Sequence, residues 1–117
     1  MSAPGVNLGL RLIGRKKGDS MAKYVLLLSW TDMGAQKMGQ TTQRAAKVRQ
    51  IAEELGGKED SVLWTTGRFD IIATYDMPSD ESASILDMRI NALGTVRTEM
   101  MRAHTATEMN KLITQPS

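Results

Sequence analysis

The run Lys23 to Trp30, KYVLLLSW, constrains the fold more than any other segment. Six of its eight residues are apolar or aromatic, with no alternation. A strand with one wet face alternates between apolar and polar, whereas a continuous apolar run belongs to a strand covered on both faces. Such a strand sits near the centre of a sheet. The rest of the chain must therefore supply neighbours on both edges and cover for both faces.

The following segments supply them. Thr31 or Asp32 offers a helix N-cap. Ala35, Met38, Ala45, Val48, Ile51, Ala52 and Leu55 then recur at helical spacing, with Lys37, Arg44, Lys47, Glu53 and Glu54 mostly off that stripe. One amphipathic helix of about five turns is expected, weakened by Gly39 and ended by Gly56-Gly57. Ser61 to Thr66 reads as a short strand. Arg68 to Met77 reads as another, with Phe69, Ile71, Ala73 and Tyr75 on one face and Arg68, Asp70, Ile72, Thr74 and Asp76 on the other. A tight turn at Gly67 makes the two a hairpin. Ser79 caps a second helix whose first turn carries Asp80 and Glu81; Ala83, Leu86, Ile90 and Leu93 form its stripe, and Gly94 ends it. Thr95 to Ala103 is the fourth strand. Thr105 and Glu108 fit a capping box before a short C-terminal helix.

The order strand, helix, strand, strand, helix, strand is the split βαβ of an α+β, ferredoxin-like domain: a four-stranded antiparallel sheet with both helices on one face. The other face needs cover, because a contiguous apolar patch is unusual on a soluble monomer. A nucleic acid stacked on sheet aromatics would need adjacent rings and a basic surround. The chain has five aromatics, and Phe69 and Tyr75 alternate with Asp70 and Asp76. A second copy of the same sheet is the better cover, giving a homodimer with a barrel-like interior.

Charge supports this reading. The chain carries 15 basic and 13 acidic side chains, but Arg11, Arg15, Lys16 and Lys17 face only Asp19 in residues 1–20. The basic excess therefore belongs to the N-terminal segment, and no nucleic-acid footprint is expected on the domain. Residues 1–20 read as a flexible extension, residues 21–117 as the domain, and Met21 as a plausible native start. Arg15-Lys16-Lys17 follows the apolar stretch of this segment, the reverse of a secretory signal, and no run approaches the length of a membrane span. The cytoplasm is the expected compartment. With no cysteine and one histidine, thiol chemistry, disulfides and a multi-histidine metal cage within one chain are excluded, and neither a metal nor a cofactor is expected.

Candidate chemistry is sparse. Arg68 and Asp70 share a strand face, where arginine could hold an anionic oxygen and Asp70 act as base; an interface salt bridge, or an aspartate fixing a turn through backbone amides, is the plainer alternative. His104 could serve as general acid or base, as a haem ligand, or merely cap a strand end. Arg97 shares a face with Glu99, as an ion pair or a ligand contact. Trp30 and Trp64 could wall a ligand pocket or fill core. The nine methionines read as adaptable core filler. No Gly-x-Ser-x-Gly nucleophile elbow is present.

Leu63-Trp64-Thr65-Thr66-Gly67-Arg68-Phe69-Asp70 closely resembles the GYD domain family, small bacterial and archaeal proteins named for a Gly-x-Tyr-Asp-like motif. The motif here is Gly67-Arg68-Phe69-Asp70, with phenylalanine in the tyrosine position. Tyr24 to Leu27 leading to Trp30-Thr31-Asp32 and Gly34, Leu93 to Glu99, and Arg102-Ala103-His104-Thr105 match in order. The resemblance spans residue 21 to about residue 113. It implies a ferredoxin-like fold of the dimeric α/β-barrel type. Three functions are compatible with it. The first is a homodimeric small-molecule-binding or regulatory module. The second is a cofactor-free oxygenase or isomerase acting on a small organic substrate. The third is an assembly protein forming higher oligomers.

Overall fold

The computed structural model describes residues 21–115; the expected extension, residues 1–20, lies outside the described residues, as do the last two positions of the domain. In chain order the elements are β1 (Ala22–Trp30), α1 (Asp32–Gln36), a 3₁₀ turn (Met38–Gln40), α2 (Thr41–Glu54), β2 (Lys58–Trp64), β3 (Ile71–Met77), α3 (Asp80–Ala92), β4 (Val96–Ala103) and α4 (Ala106–Ile113). The strands form one sheet in the order β2-β3-β1-β4, and every neighbouring pair is antiparallel. This is an α+β architecture, consistent with the ferredoxin-like class.

The apolar run of β1 has the central place that its composition demands, between β3 and β4. Its alternate residues Tyr24, Leu26 and Leu28 are buried together with Ile71, Ala73, Tyr75 and Met77 of β3. Val48, Ile51 and Ala52 of α2 and Ala83, Leu86 and Ile90 of α3 belong to the same cluster, so the two long helices cover that face. Two polar ties fix α3 over the sheet. Tyr24 donates its hydroxyl hydrogen to Asp80 at the start of α3. Asn91 donates to the Thr98 hydroxyl at 2.7 Å, and Thr98 donates to Asp87. Burial, reinforced by Asp80, pushes the Tyr24 phenol up to about 12.

The opposite face of the same strands has no cover among the described residues. Val25 lies opposite Met101, and Leu27 lies between Ile72 and Glu99. Leu63 pairs with Ile72 on the β2 side and is 63% exposed. At one end of this face Lys23 bridges Asp76 at 2.9 Å and Asp60 at 3.2 Å. A register shift between Glu59 and Ser61 accompanies this placement of Asp60. The bond to Asp76 leads in holding the Lys23 ammonium above its usual range, and Lys23 in turn lowers Asp60.

Four local expectations need correction. The single long first helix is three pieces. Lys37 and Gln40 leave helical dihedrals around Gly39, whose flexibility disfavours a helix interior. Arg44 compensates, donating to the Lys37 carbonyl at 2.7 Å and to the Gly34 carbonyl at 3.4 Å. The β2–β3 connection is longer than a tight turn, spanning residues 65–70, and is closed by the Thr65 amide on the Asp70 carbonyl at 2.8 Å. Phe69, expected to face the helices, lies in that connection with the Arg68 guanidinium 5.3 Å from its ring centroid. The methionines are mostly not core filler: Met77 is fully buried, but Met33, Met38, Met88, Met101 and Met109 are exposed.

The helix ends follow the expected chemistry. Gly56 adopts a φ of 86°, and the amides of Gly56 and Gly57 return to the carbonyls of Glu53 and Ala52 at 3.0 and 2.9 Å. That is a Schellman closure. Ser79 with Ser82, and Thr105 with Glu108, form reciprocal capping boxes.

Candidate functional site

The helix layer does not close fully on the sheet. Between them lies a narrow cavity of about 40 Å³. Its floor includes Leu28, Ile71 and Ala73, and its roof includes Ala45 and Val48 of α2. Ala45 of α2 and Ala73 of β3 both line it, and side chains this small fill little of the space between the layers. The wall is predominantly apolar, as in sites for small organic molecules.

A few polar groups interrupt it. The Trp30 indole lines the cavity, and its Nε1–H is buried without a hydrogen-bond partner among the described residues. Thr41 and Arg44 line it from α2. Trp64 Nε1 donates to Thr41 Oγ1 at 2.9 Å, so the second indole braces the rim without lining the cavity itself. Tyr75 also lines the wall and donates to Glu59 at 3.3 Å. Burial is the main cause that pushes its phenol far above its ordinary range.

The residues singled out from sequence separate into distinct places. Trp30 lines the cavity and Trp64 adjoins it. Asp70 lies at the head of β3, where its carboxylate accepts from the Trp30 backbone amide at 2.8 Å. Its own amide donates to the Leu28 carbonyl at 2.9 Å. Asp70 therefore clasps the hairpin connection to the end of β1. Arg68 is exposed over Phe69. Arg97 is exposed on the uncovered sheet face opposite Ser29. The expected Arg97–Glu99 ion pair is not formed among the described residues. His104 is exposed beyond the far end of β4, next to Ala103, which pairs with Lys23. Along strands of about 3.3 Å per residue, the structure sets Asp70 and His104 at opposite ends of the sheet.

Arg44, Thr41 and Tyr75 were not anticipated as site residues. A signal for Arg44 was present: Thr41, Arg44, Ala45 and Val48 follow the i, i+3, i+4, i+7 spacing of the buried stripe of α2. An arginine on an inward stripe is a charge that needs a reason. Among the described residues no cluster of three metal-ligating side chains is present, and no helix is long and apolar enough to cross a membrane.

No curated protein matches this sequence. The GYD domain model matches residues 24–113, which take in every strand and helix but for the first two residues of β1, together with the Asp70 clasp and the cavity wall. With most of its length matched in one continuous stretch, the chain belongs to the GYD domain family.

Proposed function

We propose that this chain is a homodimeric small-molecule-binding module, its ligand held between the sheet and the helices of each protomer. The observation that carries this reading is the apolar cavity between the layers. Its chemistry favours binding over catalysis. The titratable side chains lining it are Tyr75 and Arg44. Burial moves Tyr75 away from neutrality, and arginine does not give up its proton in proteins. A general acid or base works best with a pKa near the operating pH, and neither group offers that.

The pairing of two copies is supported by the uncovered sheet face. Val25, Leu27, Ile72, Leu63 and Met101 form its apolar centre, and Lys23, Asp60, Asp76, Arg97 and Glu99 supply both signs of charge. A two-fold interface must complement itself, and a face carrying both signs can do so. The α4 helix adds to the surface: Met109, Leu112 and Ile113 are all about half exposed or more.

Native mass spectrometry of the full chain, gently purified, tests the reading. The expected result is a dimer carrying a reproducible small extra mass that is absent from Ala45→Phe, a substitution that fills the cavity. A monomer, or a dimer that is empty and stays empty after exposure to a panel of small aromatic and branched apolar compounds, overturns it.

A further inference from the structure

Two features of the cavity leave hydrogen-bond donors over, and they point to the same ligand chemistry. The first is the Trp30 indole N–H. A buried donor without an acceptor costs about 1–3 kcal/mol, and buried polar groups are normally paired. The floor around it offers hydrocarbon: Leu28, Ile71 and Ala73. The second is Arg44. Arg44 as a residue is half-buried at the cavity wall, and its guanidinium has no carboxylate partner among the described residues. Its two hydrogen bonds go to the Lys37 and Gly34 carbonyls, which leaves donors of its five free. Charges withdrawn from water are ordinarily paired.

The two features meet at one place. Arg44 Nη2 reaches the Gly34 carbonyl at 3.4 Å. Gly34 in turn packs so closely on Trp30 that a Cβ there would lie 3.3 Å from the Trp30 Cβ. Trp30 and Arg44 therefore both line the otherwise apolar slot, and both residues approach Gly34. A cation and a neutral donor together select an acceptor that bears negative charge, and a planar carboxylate suits the guanidinium fork.

Resting on the small-molecule reading above, we infer that the cavity takes a small apolar carboxylate, an aromatic or branched-chain acid. Its hydrocarbon body lies against Leu28, Ile71, Ala73 and Val48. Its carboxylate accepts from the Trp30 Nε1–H and from Arg44. The slot is narrow, so binding widens it.

The probes are benzoate, its uncharged analogue benzamide, and ethylbenzene, which has no polar group. The chain has two tryptophans, so its indole ¹⁵N–¹H spectrum holds two signals, and Trp30→Phe assigns them. Benzoate is expected to move the Trp30 signal downfield, leave the Trp64 signal nearly in place, and bind at least about tenfold more tightly than benzamide, a difference of about 1.4 kcal/mol. Arg44→Gln should remove that preference and Arg44→Lys should restore part of it, while Trp30→Phe should weaken benzoate at least about tenfold. Ethylbenzene binding as well as or better than benzoate would overturn the carboxylate assignment and leave the small-molecule reading standing. Benzoate bound equally by Trp30→Phe would assign the indole N–H to a buried water and overturn its role as ligand donor. Failure of all three probes to bind overturns this inference; the native mass spectrum then decides separately whether the cavity holds any molecule at all.

Discussion

Asp70 shows how much one side chain can organise. It lies within the family motif, and its carboxylate, amide and carbonyl engage Trp30, Leu28 and Thr65 respectively. Asp70→Ala strands the Trp30 amide and should cost about 1–3 kcal/mol in urea unfolding. Asp70→Asn keeps an acceptor oxygen and should cost less than half as much. Equal losses in the two variants would mean that the hydrogen bond to Trp30 is not what the residue contributes. Gly34 is a second such position, because any Cβ there would collide with the Thr95 carbonyl. Gly34→Ala should lower the melting temperature by several degrees, through an overpacking cost of about 1–3 kcal/mol. Tyr24 contributes to the alkaline limit. Its phenol rises from 10.0 to about 12 in the folded protein. The folded state therefore holds this proton more tightly than the unfolded chain, so the contribution is full below pH 10 and is lost as the pH climbs toward 12. Tyr24→Phe should flatten that part of the stability–pH curve.

At the level of elements, sequence and structure agree wherever a single local rule decides. The central β1, the cap at Ser79, the capping box at Thr105 and the closure at Gly56-Gly57 are all legible, because period, cap chemistry and glycine conformation act within a few residues; the reciprocal bond from Ser82 that completes a box at Ser79 is not. The broken first helix was not, because Gly39 alone is compatible with a weakened continuous helix; the break depends on Arg44 reaching back to carbonyls seven and ten residues away. The site was half legible. The sequence points to both tryptophans, whereas the charge of Arg44 reads as solvent-facing although its spacing puts it on the buried stripe of α2. Phe69 and Asp70 were assigned faces as strand residues, whereas both lie in the connection before β3. The α4 cap yields a prediction of its own. The Thr105 amide donates to Glu108 at 2.9 Å, and this bond leads in holding the carboxyl below its ordinary 4.5. The contribution is full above pH 4.5 and is lost as the pH falls through the lowered folded value. Amide exchange across Met109–Ile113 should therefore accelerate in acid before the β-sheet core opens, and Thr105→Ala, costing about 1 kcal/mol of helix, should produce the same local loss at neutral pH. Protection in α4 that is indifferent to both changes would assign its stability to something other than the cap.

For the molecule as a whole, the uncovered sheet face carries the weightiest prediction. Leu27 points away from the helix-covered core, so Leu27→Asp should leave each protomer folded with a cooperative melt. A charge buried there without a partner opposes pairing. Light scattering should show the dissociation constant rising at least about a hundredfold, close to 3 kcal/mol; an unchanged mass would place the contact elsewhere on the surface. The methionines displaced from the core bear on the same face. Each is a sulfur that a mild oxidant can turn into a polar sulfoxide. On an isolated protomer, Met101 is as open to such attack as Met38 in the 3₁₀ turn. Two sheets laid together would shield the first, so peptide-resolved oxidation gives a chemical footprint of whichever face the protein hides.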